Sequence, residues 1–298
     1  MARGLKRWTL VLLGMTAGAA VWAATAQPSP PQAVVYVAPV EDGSPVMAYV
    51  PVRNAPSDET QLAGWRLLNK PMQVFADGRR EGAATPLAFS VDDDTMCGGD
   101  LRLRVKPAGG AALADDALLA SFDLNPGDRF NRHAADAAQR RDLLQVLGRD
   151  ATLRKQLPAA ALKRLLARLA TTPDNDEQRL AVFRDAQRPG RDVALLTAHA
   201  SEDDPAAAGD GSSTTLTSVL AVFERGEDGW RAARVVAHHS CDDCEGRQDS
   251  YDLLQFADVD ADGNVDFLIS HFGYESYGYS LLHRVGGAWR TDELPGGC

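Results

Sequence analysis

The chain has 298 residues, 45% of them hydrophobic, and its 41 Asp and Glu outnumber 31 Lys and Arg for a formal net charge of −10. Such a surface repels nucleic acid, whose phosphates demand clustered Lys and Arg, and suits cations and basic proteins. The length allows one large or two modest domains, each able to bury a core.

Arg3, Lys6 and Arg7 precede an apolar run from Thr9 to Ala23, and Ala24-Thr25-Ala26 then offers small side chains at the positions a signal peptidase reads. This order predicts a cleavable secretory signal over 1–26, followed by a Pro-rich linker over 27–32. The run is shorter than the roughly 20 apolar residues of a membrane span. No later run is longer, so no membrane span is expected after processing. Removing 1–26 takes three positive charges and no negative one, moving the formal charge from −10 to −13. A periplasmic or secreted location follows.

Residues 33–130 read as a β-rich domain. Val34 to Val37 and Val46 to Val50 are rich in branched and aromatic residues, with Glu41-Asp42-Gly43 as a turn between them. Met72 to Phe75, Leu87 to Val91 and the alternating Leu101 to Val105 follow, the last with the period of a half-buried strand. Residues 131–172 change period and predict a short helical insertion. Asn131 is a plausible cap for a helix that Gly148 stops. Asp150 can cap a second helix ending at Leu157, and Pro158 suits the first position of a third. In that helix Leu162, Leu165, Leu166 and Leu169 form one apolar stripe, with Lys163, Arg164 and Arg168 mostly off it. The stripe describes a packing helix with solvated charges; a partner or membrane surface is the rival reading.

Residues 173–298 predict an antiparallel β-meander. Leu180-Ala181-Val182-Phe183 recurs as Leu220-Ala221-Val222-Phe223, and Arg225…Gly229-Trp230-Arg231 recurs as Arg284…Ala288-Trp289-Arg290. Such repetition suggests hairpins that each bury a face against the next, as in part of a propeller. Thr172-Pro173 could equally open a helix there. The fold class expected is α+β: a β-rich N-terminal part, a helical insertion, and a C-terminal antiparallel meander that is partly propeller-like.

The most specific motif lies in that meander, at Asp258-Val-Asp260-Ala-Asp262-Gly263-Asn264-Val-Asp266. Calcium takes six to eight oxygens, and alternate positions of a tight loop can aim them inward. Asp258, Asp260, Asp262 and Asp266 would supply carboxylates, Asn264 a backbone carbonyl, and Gly263 the sharp turn. An EF-hand would place an acid at its twelfth position, where this chain has Ile269. The loop resembles instead the calcium loops of FG-GAP and VCBS repeats of integrin-type propellers and exported bacterial proteins. That resemblance is confined to the loop and its flanks and implies a calcium ion in a β setting.

Cys97, Cys241, Cys244 and Cys298 form an even set in a chain expected to be exported, which favours disulfides with three pairings open. A redox CxxC at Cys241–Cys244 would need a helix after it, and a polar turn follows instead. His238-His239 lie before that pair, but no second pair of zinc ligands is seen. No nucleophile elbow, P-loop or dinucleotide fingerprint is present, so a non-catalytic protein is expected. An enzyme with a site near His238–Cys244, or a structural surface protein, are the alternatives.

Phe272 to Tyr279 is dense in aromatics and glycine and reads as a loop. Tyr274, Ser276, Tyr277, Gly278 and Tyr279 are its candidate partner-binding residues; the competing reading packs the tyrosines onto the sheet. Ser276-Tyr277-Gly278-Tyr279 is similar to the S-G-x-Y loop of periplasmic lysozyme inhibitors, with the glycine one place late. The combination of signal, calcium loop and inhibitor-like β-domain resembles the immunity proteins of cell-killing type IV secretion systems. These resemblances imply an inhibitor of a basic, lysozyme-like cell-wall hydrolase.

Overall fold

The computed structural model describes residues 33–38, 46–50, 68–92, 100–110, 113–114, 116–171, 174, 178–203, 214–241, 248–273 and 276–297. The expected signal and linker lie outside them, as do Cys97, Cys244, Tyr274 and Cys298. The described residues belong to one compact unit, Pro31–Cys298.

Six antiparallel strands curl into a barrel: β1 (Val34–Ala38), β2 (Val46–Val50), β3 (Met72–Ala76), β4 (Arg79–Asp92), β5 (Asp100–Pro107) and β6 (Ala117–Ala120). Their cyclic order is β1-β2-β5-β4-β3-β6, and β6 pairs with both β1 and β3 to close the ring. Strand alternation divides the side chains. Val35, Val37, Met72, Val74, Leu103 and Leu119 form one buried cluster. Val34, Tyr36, Phe75 and Leu118 point the other way, into a second cluster shared with the C-terminal sheet.

The segment from 121 to 129 leads out of the barrel into a five-stranded sheet of order β11-β10-β9-β8-β7. It comprises β7 (Phe130–Ala134), β8 (Gln178–Asp185), β9 (Val193–Asp203), β10 (Thr214–Gly226) and β11 (Gly229–Cys241). Three helices, α1 (Ala137–Arg149), α2 (Ala151–Gln156) and α3 (Ala159–Thr171), interrupt it between β7 and β8. A four-stranded sheet follows in simple meander order: β12 (Gln248–Ala257), β13 (Asp266–Gly273), β14 (Ser276–Val285) and β15 (Ala288–Gly297).

The layers stack as helices, five-stranded sheet, four-stranded sheet and barrel, as the burial clusters show. Leu180, Val182, Leu196, Val219 and Ala221 face the helical leucines Leu143, Leu147, Leu153, Leu165 and Leu169. Their alternate neighbours Ala181, Phe183, Leu195, Leu220 and Val222 meet Phe256, Phe267, Ile269, Leu282 and Trp289 of the four-stranded sheet. Phe183 lies 4.9 Å from Phe256 and 4.8 Å from Phe267, ring centre to ring centre. On its other face the four-stranded sheet sets Leu268, Tyr279, Leu281 and Leu294 against the barrel.

Three local expectations are corrected. Asn131 does not cap a helix; it lies in β7, and the cap is Asp136, whose carboxylate accepts from the Ala138 and Gln139 amides while Gln139 reaches back. Strand β7 escaped notice because it has no apolar alternation: Phe130 is buried and its next four residues are exposed. No helix follows Pro173 among the described residues; Gln178 opens β8 instead. The C-terminal meander is two sheets rather than one, and the two Trp-Arg hairpins fall one in each. The third helix behaves as its stripe required, burying Leu162, Leu165 and Leu169.

Candidate metal centre

The acidic loop connects β12 to β13, and both strands are held by their hydrophobic faces, so the loop's ends are fixed. Gly263 stands at φ 81°, and a Cβ there would come 3.2 Å from Nη1 of Arg129. Glycine is therefore required both by its left-handed backbone and by the close guanidinium. Side-chain oxygens from Asp258, Asp260 and Asp262 lie within 4.8 Å of one another. Each is turned by short contacts to the loop's own amides. Asp258 Oδ2 accepts from Gly263 N at 3.0 Å, Asp260 Oδ1 from Asp262 N at 3.0 Å, and Asp262 Oδ1 from Asn264 N at 2.7 Å.

Asp266 plays a different part. It is fully buried at the head of β13, and its Oδ2 accepts from the amides of Val259 at 2.8 Å and Asp260 at 3.4 Å, so it ties the loop's end to its start. Its other oxygen, Oδ1, is buried with no hydrogen-bond partner, and so is Oδ1 of Asp258. Two buried, unpartnered carboxylate oxygens in one loop are costly. Burial accordingly raises the pKa of Asp258 to about 6 and lifts that of Asp266 well above the ordinary carboxylate range, with neighbouring carboxylates adding to both.

Three cationic side chains and one accepting backbone carbonyl reach the loop from distant parts of the chain. His283 on β14 sits between two carboxylates, its Nδ1 3.2 Å from Asp260 Oδ2 and its Nε2 2.8 Å from Asp292 Oδ2. The hydrogen bond to Asp260 is the main cause of a raised His283 pKa, and an imidazole that donates from both nitrogens is the charged form. For Asp260 burial works upward, but the hydrogen bonds from His283 and from the Asp262 amide outweigh it and its pKa falls. Arg188 donates to Gly263 O and, at 3.2 Å, to Asn264 Oδ1. The same guanidinium holds Asp185 Oδ2 through Nε at 2.6 Å, while Arg129 grips Asp185 with two bonds of 2.9 and 2.7 Å. Burial alone would raise the pKa of Asp185, but these arginines bring it down to about 2. The Asp258 amide bonds Leu124 O, so the loop is also tied to the segment leaving the barrel.

The donor set fits a hard cation. Asp258, Asp260 and Asp262 form a carboxylate cluster that could hold a metal ion, their oxygens being donors of the kind calcium takes, while Asp266 and Asn264 are not part of that cluster. Ile269, at the place of an EF-hand's final acid, is buried in β13 and contributes nothing to the loop.

Beside the loop is a cleft of about 720 Å³ lined by Asp185, Arg188, Glu224, Arg225, Asn264 and Trp289, among others. Both Trp-Arg hairpins reach it. Glu224 accepts from Trp289 Nε1 at 2.9 Å and pairs with Arg231 and Arg284. The charges of this cleft are largely matched to one another.

The other singled-out residues fall elsewhere. Ser276, Tyr277, Gly278 and Tyr279 do not form a loop; they open strand β14. Tyr279 is in the core, 5.3 Å from the ring of Tyr36, and Tyr277 packs edge-on against it at 6.2 Å. Gly278 lies under the His271 ring, which would be 2.6 Å from an added Cβ. Tyr279 is thus unavailable to plug a partner's cleft, because its ring is already spent on the barrel contact. Cys241 is disulfide-bonded, which removes it as a zinc ligand, and its bonding partner lies outside the described residues. Nδ1 of His239 meets the Thr217 hydroxyl at 2.9 Å, and burial lowers the pKa of His238. His283, Asp292, Arg129, Asp185 and Arg188 were not legible as site residues. They lie 17 to 129 positions from the nearest loop residue in sequence and carry no motif of their own.

Comparison with family models, with curated proteins and with solved structures gave no match.

Proposed function

We propose that the protein is an exported, non-catalytic binding module whose fold is completed by one calcium ion in the Asp258–Asp266 loop. The observation that carries this reading is the pair of buried oxygens without a partner, Asp258 Oδ1 and Asp266 Oδ1. An ion between the carboxylates would give both a charge partner and would stabilise the native state by mass action. It would supply charge neutralisation and cross-linking, while the chain's own residues position the ligands. Asp266 fastens the loop, Gly263 makes the turn, and His283 and Arg188 orient Asp260 and Asn264. The disulfide at Cys241 accords with an oxidising compartment, as the expected signal over 1–26 does.

The test is thermal unfolding with calcium and with chelator, on wild type and on Asp260→Ala. A melting temperature that rises with calcium in wild type alone supports the proposal. An identical curve in chelator and calcium for wild type overturns it.

A second reading, inhibition of a lysozyme-like cell-wall hydrolase, draws on one feature at the end of β13. Phe272 is the most exposed of the large hydrophobic residues described, at 44%, and pairs across the strand with Tyr277 beside the exposed Ser276. Phe272→Ala should weaken binding to such an enzyme without lowering the melting temperature; undiminished inhibition would remove this turn from consideration.

A further inference from the structure

The charge of this protein is strongly polarised. The helical layer from Ala137 to Thr171 carries eight Lys and Arg against two Asp, a net of +6 in a chain of −10, which leaves −16 for the remainder. Six of the eight, Arg141, Arg149, Arg154, Lys155, Lys163 and Arg164, are exposed. The leucines of the same helices are buried on the five-stranded sheet, so these cations are carried on the side turned away from it. Of the two acids, Asp150 is used as the cap of α2 and Asp142 pairs with its neighbour Arg141. Arg149, Lys155 and Lys163 have no acidic partner among the described residues.

The same face has an opening of about 420 Å³ with Leu157, Leu162 and Leu166 in its walls and Arg154 and Lys163 among its lining. None of the exposed large hydrophobic residues described lies on the helices; they are Phe272 and Val285, both in the four-stranded sheet. The face therefore offers clustered positive charge without the protruding aromatic anchors on which protein interfaces depend. Clusters of four to eight Lys and Arg on an amphipathic helical surface suit the headgroups of anionic phospholipids.

We propose that the three-helix layer is a docking face for a bilayer surface bearing anionic phospholipids. Two acids outside these helices adjoin the layer, Asp136 as the cap of α1 and Asp174 paired with Arg140, and neither meets Arg149, Lys155 or Lys163. The Asp258–Asp266 loop belongs to the next sheet, roughly 10 Å further on, beyond a Debye length of about 8 Å at physiological ionic strength. Docked this way, the protein keeps the five-stranded sheet between the membrane and the sheet that carries the acidic loop.

The experiment is co-sedimentation of the full chain with vesicles of phosphatidylcholine alone and of phosphatidylcholine mixed with phosphatidylglycerol, at low and high salt. The N-terminal segment carries Arg3, Lys6 and Arg7 and is the same in every variant, so the reading is the difference between wild type and the helical variants on the anionic vesicles. Wild type is expected to prefer the anionic vesicles and to lose that preference in high salt. Each basic side chain near such a surface is worth roughly five-fold in partitioning, so removing three costs about a hundred-fold, and Arg149→Glu with Lys155→Glu and Lys163→Glu should cost more because it adds repulsion. The corresponding triple alanine variant should show a smaller loss in the same direction. Arg79→Glu with Arg80→Glu, on the barrel, should bind as wild type does. Equal binding to both vesicle types, or equal loss in the barrel variant, overturns the proposal. So does capture by soluble polyglutamate without any vesicle preference, which would assign the face to an acidic protein.

Discussion

The calcium-free loop should make the protein less stable as the pH rises from acid towards neutrality, and Asp258→Asn should remove this carboxyl's share of that loss. Asp258 is 8% exposed with one oxygen unpartnered, and burial holds its carboxyl at about 6 in the folded chain against 3.8 for the free group. Its folded pKa is raised, so the folded state keeps a proton that the unfolded state has released. Stability then declines from pH 3.8 upward and levels off once pH exceeds about 6. At 1.36 kcal/mol per pKa unit, the full penalty at neutral pH is about 3 kcal/mol. Asp266 adds to the loss in the same direction. Two other groups act in separate windows. Asp185, depressed to about 2, gives stability that is lost only as pH falls below 3.8. His283, raised, gives stability that is lost above its ordinary 6.5. Urea unfolding in chelator at intervals between pH 4 and 6.5 isolates the Asp258 window, with the difference between wild type and Asp258→Asn as the readout. The difference should grow with pH in chelator and shrink in saturating calcium, which favours the charged carboxylate. A difference that stays flat across that range would refute the assignment of the penalty to this carboxyl.

Other perturbations probe the joints between layers. Gly78 is the second residue of the tight turn between β3 and β4, at φ 71°, and an added Cβ would lie 2.4 Å from two atoms of the buried Phe256 ring. Gly78→Ala should cost about 2–5 kcal/mol in urea unfolding, combining left-handed strain with overpacking. Asn125 is buried, donates to Gly78 O at 2.7 Å and to Phe130 O at 3.1 Å, and accepts from Phe130 N at 2.8 Å. Asn125→Ala should cost roughly 2–4 kcal/mol in the same assay, because three buried polar groups are left unmet. Tyr279→Ala should cost about 3–5 kcal/mol by emptying the contact with Tyr36, so any binding it abolishes is lost through unfolding. Tyr279→Phe, which keeps the ring, should cost less than Tyr279→Ala.

Much of the β framework was legible because strand signals are local. The alternation read over Leu101 to Val105 is seen in β5 at Leu103, Arg104 and Val105, and the Leu162–Leu169 stripe is the buried face of α3. The acidic loop was legible for the same reason, since five of its polar positions fall within nine residues. What escaped was whatever depends on pairing across distance. The split of the C-terminal region into two sheets turns on which face each strand buries, and fully buried runs such as Leu220 to Phe223 look alike in either sheet. Strand β7 exists because β8 offers an edge to it, not because of its own side chains. The aromatic stretch at Tyr277 and Tyr279 was open to two readings until Tyr36, over 240 positions away, supplied the ring that covers it.

The position of the acidic loop explains why an ion there would matter beyond the loop itself. Three connections converge on it: the Leu124 carbonyl from the segment leaving the barrel, Arg129 and Arg188 through Asp185 at the end of β8, and His283 from within its own sheet. Each binds one layer of the stack to the same nine residues. Without a cation, these arginines and the imidazole are the only positive groups described around the loop's carboxylates. They reach Asp260 and Asn264 but leave Asp258 Oδ1 and Asp266 Oδ1 bare. A calcium ion would complete what they leave undone, and its stabilisation would register in barrel and sheets together as one cooperative shift. Arg188→Met separates the two contributions: it removes a tether to Gly263 and Asn264 while also removing a competing positive charge. Wild-type stability in chelator should therefore exceed that of the variant, and the gain on adding calcium should be larger in the variant. An equal gain in both would show that Arg188 and the ion do not share the loop.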